Sequence, residues 1–274
     1  MKSIRLLRIA STLLVLTFAA TSVDAKEPGL LFAHRGGAHE FEENTLPAFK
    51  ASYEKGLRGF ETDIRMTRDG EFVILHDDSL DRTYDATGSV EEKTAAELRN
   101  VQSKKGGEPL LFLDELLEYF ADKPGVYFEL EMKTGNMKLY PDDRVKEYGK
   151  RLVEFVKERQ PEGSTYVPTS FDKRPLKVIH EADPQAELLY IINDGACTPE
   201  DVKQAKTLGA KRMGVRIDKV TRNEVAAAQA QGMQVNCWPG HSLADYHLAV
   251  GLGVDAICCD IPVAVQTWKE THEK

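Results

Sequence analysis

Several features that define other protein classes are scarce or missing in this sequence. It has four cysteines among 274 residues, the first at Cys197, and no Cys-x-x-Cys pair, which argues against a zinc or dithiol redox site. No short repeat, low-complexity run or linker rich in proline and serine divides it. The most extended apolar run, Ile9 to Ala20, is shorter than the roughly 20 residues of a membrane-spanning helix. The absences favour a globular protein of one large or two small domains.

An excess of positive charge is also missing. The sequence has 36 Lys and Arg against 44 Asp and Glu, a formal net charge of −8. Residues 1–25 carry three basic and one acidic side chain, so without them the charge is −8 − 2 = −10. Such a protein has no general attraction to nucleic acid or to an anionic membrane. An anionic substrate would therefore need a local basic cluster or a metal ion.

Residues 1–25 have the pattern of a secretory signal peptide. Three basic residues precede the apolar run, and Val23-Asp24-Ala25 supplies a small-x-small cleavage site. We expect cleavage after Ala25 and a secreted, periplasmic protein of residues 26–274; an uncleaved anchor is the alternative. No lipidation cysteine follows the run, so no stable membrane anchor is expected after cleavage. The four cysteines are expected to be buried free thiols.

The rest of the sequence alternates strand-like and helix-like segments. Strands are predicted near Leu30–Ala33, Gly59–Asp63, Val126–Glu131, Thr165–Thr169, Glu187–Ile191, Met213–Ile217, Met233–Cys237 and Ala256–Cys259. Helices are predicted near Leu46–Glu54, Leu113–Phe120, Asp143–Glu158, Arg174–Glu181, Pro199–Thr207, Asn223–Gln231, Leu243–Val250 and Pro262–Lys269. Eight strand–helix units predict an α/β fold, a (β/α)8 TIM barrel. A doubly wound open sheet is the competing fold.

One segment, Val73–Leu111, is too long for a simple strand-to-helix loop. It carries His76-Asp77, a turn-rich run at Asp81–Gly88 and a short helix at Thr94–Asn100. We predict an elaborated loop, inserted after strand 2, that covers the mouth of the barrel. Active sites of such barrels lie at the carboxyl ends of the strands, which is also where the reactive side chains fall.

Acidic side chains are spaced to meet on the inward face of two strands. Glu61 and Asp63 are two positions apart, so both point to the same face. Glu129, Glu131 and Lys133 share one face of the third strand. Carboxylate oxygens converging on one point are what a hard divalent cation needs. A buried Glu–Lys ion pair or a solvated edge strand is the simpler alternative.

Two histidines accompany these carboxylates. His34 ends the first strand and is followed by Arg35, and His76 follows a turn at Asp69-Gly70. Histidine exchanges protons near neutral pH. A lone histidine is more often structural, but the arginine and the acidic neighbours favour metal-assisted chemistry on a phosphate.

Taken in order, these motifs resemble the glycerophosphodiester phosphodiesterases over residues 30 to 266. The matching motifs are His34-Arg35-Gly36, Glu43-Asn44-Thr45, Glu61-Thr62-Asp63, Thr67-Arg68-Asp69-Gly70, His76-Asp77-Asp78, Leu80-Asp81-Arg82-Thr83, Glu131-Met132-Lys133 and Cys259-Asp260-Ile261-Pro262. The resemblance implies a TIM barrel that hydrolyses glycerophosphodiesters, which are small soluble molecules, to an alcohol and glycerol 3-phosphate with one divalent cation. The implied metal ligands are Glu61, Asp63 and Glu131; the implied acid/base pair is His34 and His76; the implied phosphate partners are Arg35 and Lys133. Calcium is expected over magnesium.

Several roles stay open at this point. Glu43 and Asn44 either cap the helix that follows or support the metal site. Glu129 is either a supporting residue or the alternative third ligand. Phe171 and Trp238 either wall the substrate glycerol or fill the core. Asp77 and Asp78 are expected to be turn residues, and His39, His180, His241, His247 and His272 to have surface or capping roles.

The segment after strand seven, Val235-Asn236-Cys237-Trp238-Pro239-Gly240, departs from the family pattern, which has small polar residues after the tryptophan. The leaving-group side of the pocket therefore stays undefined. Two other functions are possible in principle. One is a phospholipase D-like hydrolysis of lysophospholipids, and the other is non-catalytic binding of glycerophosphodiesters, against which the presence of both histidines argues.

Overall fold

Eight parallel strands close into a barrel in the computed structural model, which describes residues 29–272. The first strand, β1 (Leu30–Ala33), pairs with both β2 (Gly59–Met66) and the last strand, β9 (Ala256–Cys259). The other barrel strands are β4 (Tyr127–Met132), β5 (Thr165–Ser170), β6 (Leu189–Ile191), β7 (Arg212–Arg216) and β8 (Gln234–Gly240). The predicted TIM barrel is confirmed. The open-sheet alternative is wrong, because the pairing of β1 with both β2 and β9 closes the ring of parallel strands. The predicted signal peptide, residues 1–25, lies outside the described residues, so its cleavage stays a prediction.

Helices cover the outside of the barrel. They are α1 (Leu46–Glu54), α2 (Ala95–Leu98), α3 (Leu113–Phe120), α4 (Asp142–Arg159), α5 (Lys173–Ala182), α6 (Pro199–Thr207), α7 (Arg222–Gln229), α8 (Leu243–Leu252) and α9 (Pro262–His272). Thr45, Thr198, Thr221 and Ser242 each accept a hydrogen bond from the first turn of the helix they precede, which satisfies one unpaired backbone donor. Between residues 29 and 272, no helix combines the length and the apolarity needed to span a bilayer.

The alternation along β2 and β4 places carboxylates inside the barrel. Phe60 and Phe128 face outward, where their ring centroids lie 5.2 Å apart and both contact Phe120 of α3 at 5.1 Å. Their neighbours Glu61 and Glu129 therefore point inward. In the parallel register Glu61 lies opposite Glu129, and two residues on Asp63 lies opposite Glu131. Packing of these aromatic rings on the outside of the barrel thus fixes where the acidic side chains lie along the barrel axis.

The predicted insertion after strand 2 is a packed unit with its own small core. The chain turns back at Gly70, which has a φ of 91°, and β3 (Phe72–Ile74) pairs antiparallel with the end of β2. The core of the insertion contains Val73, Leu75, Leu80, Tyr84, Val90, Leu98, Val101, Leu110 and Phe112. Two predicted boundaries were wrong here, since β2 continues past Asp63 to Met66 and α2 is shorter than Thr94–Asn100, and the strand β3 was not predicted.

All four cysteines are buried free thiols. Cys197 lies in the loop before α6, not in a strand, and burial raises the pKa of its thiol to about 11. Cys237 and Cys258 belong to β8 and β9 and line the cavity at the barrel mouth. Burial also raises the pKa of both thiols, so they are protonated at neutral pH.

Candidate active site

A cavity of about 380 Å³ opens at the carboxyl ends of the barrel strands. Nine side chains singled out in the sequence line it: His34, Arg35, Glu61, His76, Glu129, Glu131, Lys133, Phe171 and Trp238. Asp63 is fully buried and lies within reach of Glu61 and Glu131. Histidines, carboxylates and basic groups that are far apart in the sequence therefore meet in one place. Such a cavity is the usual location of a TIM-barrel active site.

Glu61, Asp63 and Glu131 form a compact carboxylate cluster. One oxygen atom from each lies within 4.8 Å of the others. Within residues 29–272, the buried atoms Glu61 Oε1 and Asp63 Oδ1 accept no hydrogen bond, although the Lys133 ammonium lies 3.4 Å from Asp63 Oδ1. Burial, together with the neighbouring charges of Asp63 and Glu131, raises the pKa of Glu61 well above its usual value. Buried oxygens that accept no hydrogen bond, converging with like charge, are unfavourable unless a cation compensates them. The donor set therefore fits a hard divalent cation.

Arg35 and Lys133 border this cluster. Lys133 Nζ lies 2.8 Å from Glu131 Oε1 and 3.4 Å from Asp63 Oδ1. Arg35 Nε lies 3.3 Å from Asp63 Oδ2, and the Arg35 backbone N–H donates to Glu61 Oε2 at 3.0 Å. Burial disfavours the charge on Asp63, but Lys133 and Arg35 outweigh it and hold the pKa of that carboxyl below its usual value. Both cations also line the cavity, where an anionic substrate can reach them.

Glu43 and Asn44 support the site and do not cap α1. Asn44 Nδ2 donates to Asp63 Oδ2 at 2.8 Å, and Glu43 Oε1 accepts from Arg35 at 3.1 Å. The side chain that caps α1 is Thr45. Asn44 has a φ of 58°, a left-handed conformation that asparagine tolerates better than most residues. The capping alternative is therefore wrong for both residues.

Each cavity histidine is hydrogen-bonded to a carboxylate. His34 Nδ1 lies 2.5 Å from Asp260 Oδ1, and His76 Nδ1 lies 2.7 Å from Asp77 Oδ1. His34 Nε2 lies 3.8 Å from Glu61 Oε2. A carboxylate on Nδ1 fixes the ring and its tautomer and leaves Nε2 for proton exchange. Burial disfavours the charge on Asp260, but its contacts with His34 hold the pKa of that carboxyl below its usual value.

Arg82 connects the insertion to the barrel through a chain of ion pairs. It donates to Asp77 Oδ2 at 2.5 Å and to the two oxygens of Glu43 at 2.8 and 2.7 Å. Glu43 also pairs with Arg35, so the chain runs from the carboxylate cluster to His76. Although burial opposes it, hydrogen bonds from Arg82 and His76 lower the pKa of Asp77 to about 2. The partner of His76 is thus a fixed, ionised carboxylate.

Glu129, Phe171 and Trp238 also line the cavity. Glu129 accepts hydrogen bonds there from the Tyr127 hydroxyl at 2.8 Å and from Asn236 Nδ2 at 2.5 Å. Burial raises the pKa of Glu129 to about 7. Phe171 and Trp238 are half-buried, and their rings meet edge to face at 5.8 Å. Both rings line the cavity and pack against the buried cluster of Tyr127, Val167, Leu189 and Ile191.

Three residues of this arrangement, Asp77, Arg82 and Asp260, stand in the matching motifs of the sequence, but the sequence analysis assigned them no role in the site. Asp260 had a usable signal, since it directly follows the last strand, where site residues of a barrel lie. Asp77 was expected to be a turn residue, and it also holds His76. Residue spacing did not indicate the role of Arg82, because its partner Glu43 lies 39 residues away.

The chain is similar to several known proteins. The model of the glycerophosphoryl diester phosphodiesterase family matches residues 34–264. The glycerophosphodiester phosphodiesterase of Caldanaerobacter subterraneus subsp. tengcongensis is 28% identical over 239 residues, covering 85% of this chain and 94% of that protein. The enzyme of the same name from Bacillus altitudinis is 28% identical over 240 residues, with 85% and 94% covered. The structure of an Oleispira antarctica phosphodiesterase in complex with the product sn-glycerol-3-phosphate has a TM-score of 0.79 at 23% identity and covers 88% of this chain and 96% of its own.

Proposed function

Because the chain belongs to the glycerophosphoryl diester phosphodiesterase family, we propose that it hydrolyses glycerophosphodiesters to an alcohol and glycerol 3-phosphate. The observation that carries the proposal is the meeting, in one cavity, of two carboxylate-bound histidines and a cluster of buried carboxylates. The presence of sn-glycerol-3-phosphate as product in the related Oleispira antarctica phosphodiesterase supports it. Deacylated phospholipids such as glycerophosphocholine are the substrates this reaction would take.

Glu61, Asp63 and Glu131 would hold one divalent cation. Their all-oxygen donor set favours calcium or magnesium over zinc, and calcium is the expected ion because magnesium demands stricter octahedral geometry. When bound, the cation would neutralise charge on the phosphoryl oxygens and lower the pKa of an attacking oxygen. Asn44 and Lys133 would keep the Asp63 carboxylate in its ligating orientation, since both already contact it.

Arg35 and Lys133 would bind the phosphate. The Arg35 guanidinium offers a planar fork that matches two phosphate oxygens, whereas Lys133 offers a compact charge. Their side chains are 17% and 15% exposed, enough to reach a ligand in the cavity and little enough to be weakly screened by water. The network through Glu43 holds the arginine in place before substrate arrives.

His34 and His76 would move the protons. The attacking hydroxyl, from water or from the glycerol of the substrate, must lose a proton, and the departing alkoxide must gain one. A neutral imidazole accepts the first proton at Nε2 and a protonated one donates the second, each contributing roughly 10²–10⁴-fold. Asp260 and Asp77 would stabilise the imidazolium forms through their bonds to Nδ1.

The surface favours a small soluble diester over a lysophospholipid. Among residues 29–272, the exposed large hydrophobic side chains are Met137 and Leu248. Docking on a lipid surface normally uses a continuous apolar patch. We therefore place lysophospholipid hydrolysis second, as an outcome that the assay below can reveal.

We also propose that the enzyme acts outside the cytoplasm, in the periplasm. The support is the signal-peptide pattern of residues 1–25. The exported protein should begin at Lys26, which mass spectrometry of a periplasmic fraction would test. Full-length protein confined to the cytoplasmic fraction would contradict this.

The test of the reaction is release of glycerol 3-phosphate from glycerophosphocholine in calcium, in magnesium and in EDTA. We expect metal-dependent release that EDTA abolishes. His34→Ala and His76→Ala should each lower kcat at least roughly 10²-fold without changing the unfolding midpoint. His247→Ala, an exposed histidine of α8, is the matched control and should keep the wild-type rate.

Release that persists in EDTA would refute the metal requirement. A near-normal rate in His34→Ala or His76→Ala would remove that histidine from the reaction. No release from glycerophosphocholine, with release of choline from lysophosphatidylcholine, would favour the lysophospholipid reaction instead.

A further inference from the structure

A second group of potential metal ligands lies beside the cavity, and two of its three members, His39 and His241, have no role in the proposed reaction. One donor atom from each of His39, His241 and Asp260 lies within 4.8 Å of the others. The two imidazoles are each 53% exposed, whereas the Asp260 carboxylate is 3% exposed. The group therefore combines one buried carboxylate with two imidazoles that solvent can reach.

The backbone holds these three residues in a fixed arrangement. The His39 N–H donates to the Asp260 carbonyl at 3.0 Å, and the Asp260 N–H donates to the carbonyl of Gly240, the neighbour of His241, at 2.8 Å. The two imidazoles are stacked, with centroids 5.3 Å apart and planes at 21°. His39 Nε2 lies 3.7 Å from Asp260 Oδ2, and His241 Nδ1 is hydrogen-bonded to the same oxygen. Both rings thus already point at one carboxylate oxygen.

We propose that His39, His241 and Asp260 form a second metal site, selective for a transition-metal dication of the zinc type. Two imidazoles and one carboxylate with an open fourth position are a common zinc donor set. At zinc–ligand distances of about 2.1 Å, tetrahedral donors lie about 3.4 Å apart, which small rotations of exposed rings can reach. Imidazole suits zinc, copper and nickel, whereas calcium and magnesium prefer oxygen. This site should therefore differ in metal preference from the Glu61, Asp63 and Glu131 cluster.

Binding of a metal ion at this site should reduce turnover, because Asp260 belongs to this site and also holds His34 of the proposed reaction. Its Oδ1 holds His34 Nδ1 while its Oδ2 faces His39 and His241. A bound dication would draw electron density from the carboxylate that supports His34 and place positive charge beside that ring. His241 also lines the cavity, so the ion would lie at the rim of the site. This consequence rests on the proposed function, whereas zinc binding itself does not.

The test is titration of the purified protein with Zn²⁺ against a chromophoric zinc chelator, in millimolar calcium that fills the carboxylate cluster. We expect one zinc ion per chain. The double variant His39→Ala with His241→Ala should bind it at least about 10- to 100-fold more weakly, the range seen when even outer metal partners are lost. His247→Ala, which removes another exposed histidine, should bind zinc like the wild type.

Zinc binding that is absent in calcium would overturn the site. Binding that the double variant retains in full would also overturn it and would place the ion elsewhere, for example at the group of His34, Glu61 and Cys258. Because both ligands are exposed, the double variant should fold; His39→Ala alone provides a second variant with a smaller change.

The effect on turnover is measured as inhibition by zinc relative to the rate of each protein in calcium alone. Inhibition in the wild type that is reduced in the double variant supports the link through Asp260. Zinc binding without inhibition would overturn that link, but the proposed metal site would still stand. If no glycerophosphodiester is hydrolysed at all, the proposed function fails, and the titration still decides on the site.

Discussion

Replacing Glu129 by glutamine should stabilise the protein above neutral pH. Glu129 is 5% exposed inside the barrel, and burial raises its pKa from 4.5 to about 7 although Tyr127 and Asn236 donate hydrogen bonds to it. Between these two pH values the folded protein retains a proton that the unfolded chain releases, so stability falls as pH rises. At about 1.4 kcal/mol per pH unit the loss is about 3 kcal/mol, and it is complete above pH 7.

Glutamine should remove this loss because it has the same shape and no charge. Its Oε1 can accept the same hydrogen bonds from Tyr127 and Asn236 that the carboxylate accepts. Glu129→Gln should therefore exceed the wild type in free energy of unfolding by less than about 1 kcal/mol at pH 5 and by about 3 kcal/mol at pH 8. Urea unfolding at both pH values, in EDTA, measures the difference.

The matched control is Glu118→Gln, at an exposed position of α3. Its free energy of unfolding should change by no more than about 0.5 kcal/mol at either pH. A Glu129→Gln protein that gains less than about 1 kcal/mol at pH 8, or gains equally at both pH values, would refute the reasoning. That result would mean that the barrel interior tolerates the Glu129 charge.

Three further predictions concern the site. Asp77→Ala should lower kcat roughly 10- to 100-fold with little change in KM, because the His76 ring loses the carboxylate that holds it. Steady-state kinetics measures both constants. Glu131→Gln should weaken calcium binding at least about tenfold in calorimetry, whereas Glu129→Gln should not, since only the former belongs to the carboxylate cluster. Asn44→Leu removes a buried donor to Asp63 and strains a left-handed position, so urea unfolding should show a loss of about 2–5 kcal/mol. Equal metal affinity of the two glutamine variants, or an unchanged Asn44→Leu midpoint, would contradict these assignments.

The barrel could be predicted because each strand–helix unit repeats a local pattern. The alternation of Phe60 with Glu61 and of Phe128 with Glu129 is visible in the sequence and is what the register reproduces. The hairpin at the end of β2 was not predicted, because β3 has only three residues and shows no periodicity. Its strand conformation depends on pairing with β2, which is a tertiary contact.

Site residues that lie close together in the sequence could be predicted, whereas contacts between distant residues could not. Glu61 and Asp63 could be assigned to one face because they are two residues apart in one strand. The partner of His34 could not, since Asp260 is 226 residues away. The ion pairs of Arg82 depend on how the insertion folds back over the barrel, and no spacing in the sequence encodes that.

The seam of the barrel makes catalytic competence a property of the finished chain. The first and last strands are joined by a four-residue parallel ladder from Leu30↔Ala256 to Ala33↔Cys259, and Asp260 follows directly. During synthesis His34 emerges 226 residues before its carboxylate partner Asp260. A nascent or C-terminally truncated chain lacks both the closing strand and the group that orients His34. Turnover therefore reports that the first and last strands of the barrel have met, which makes it a sensitive assay for correct closure of the barrel.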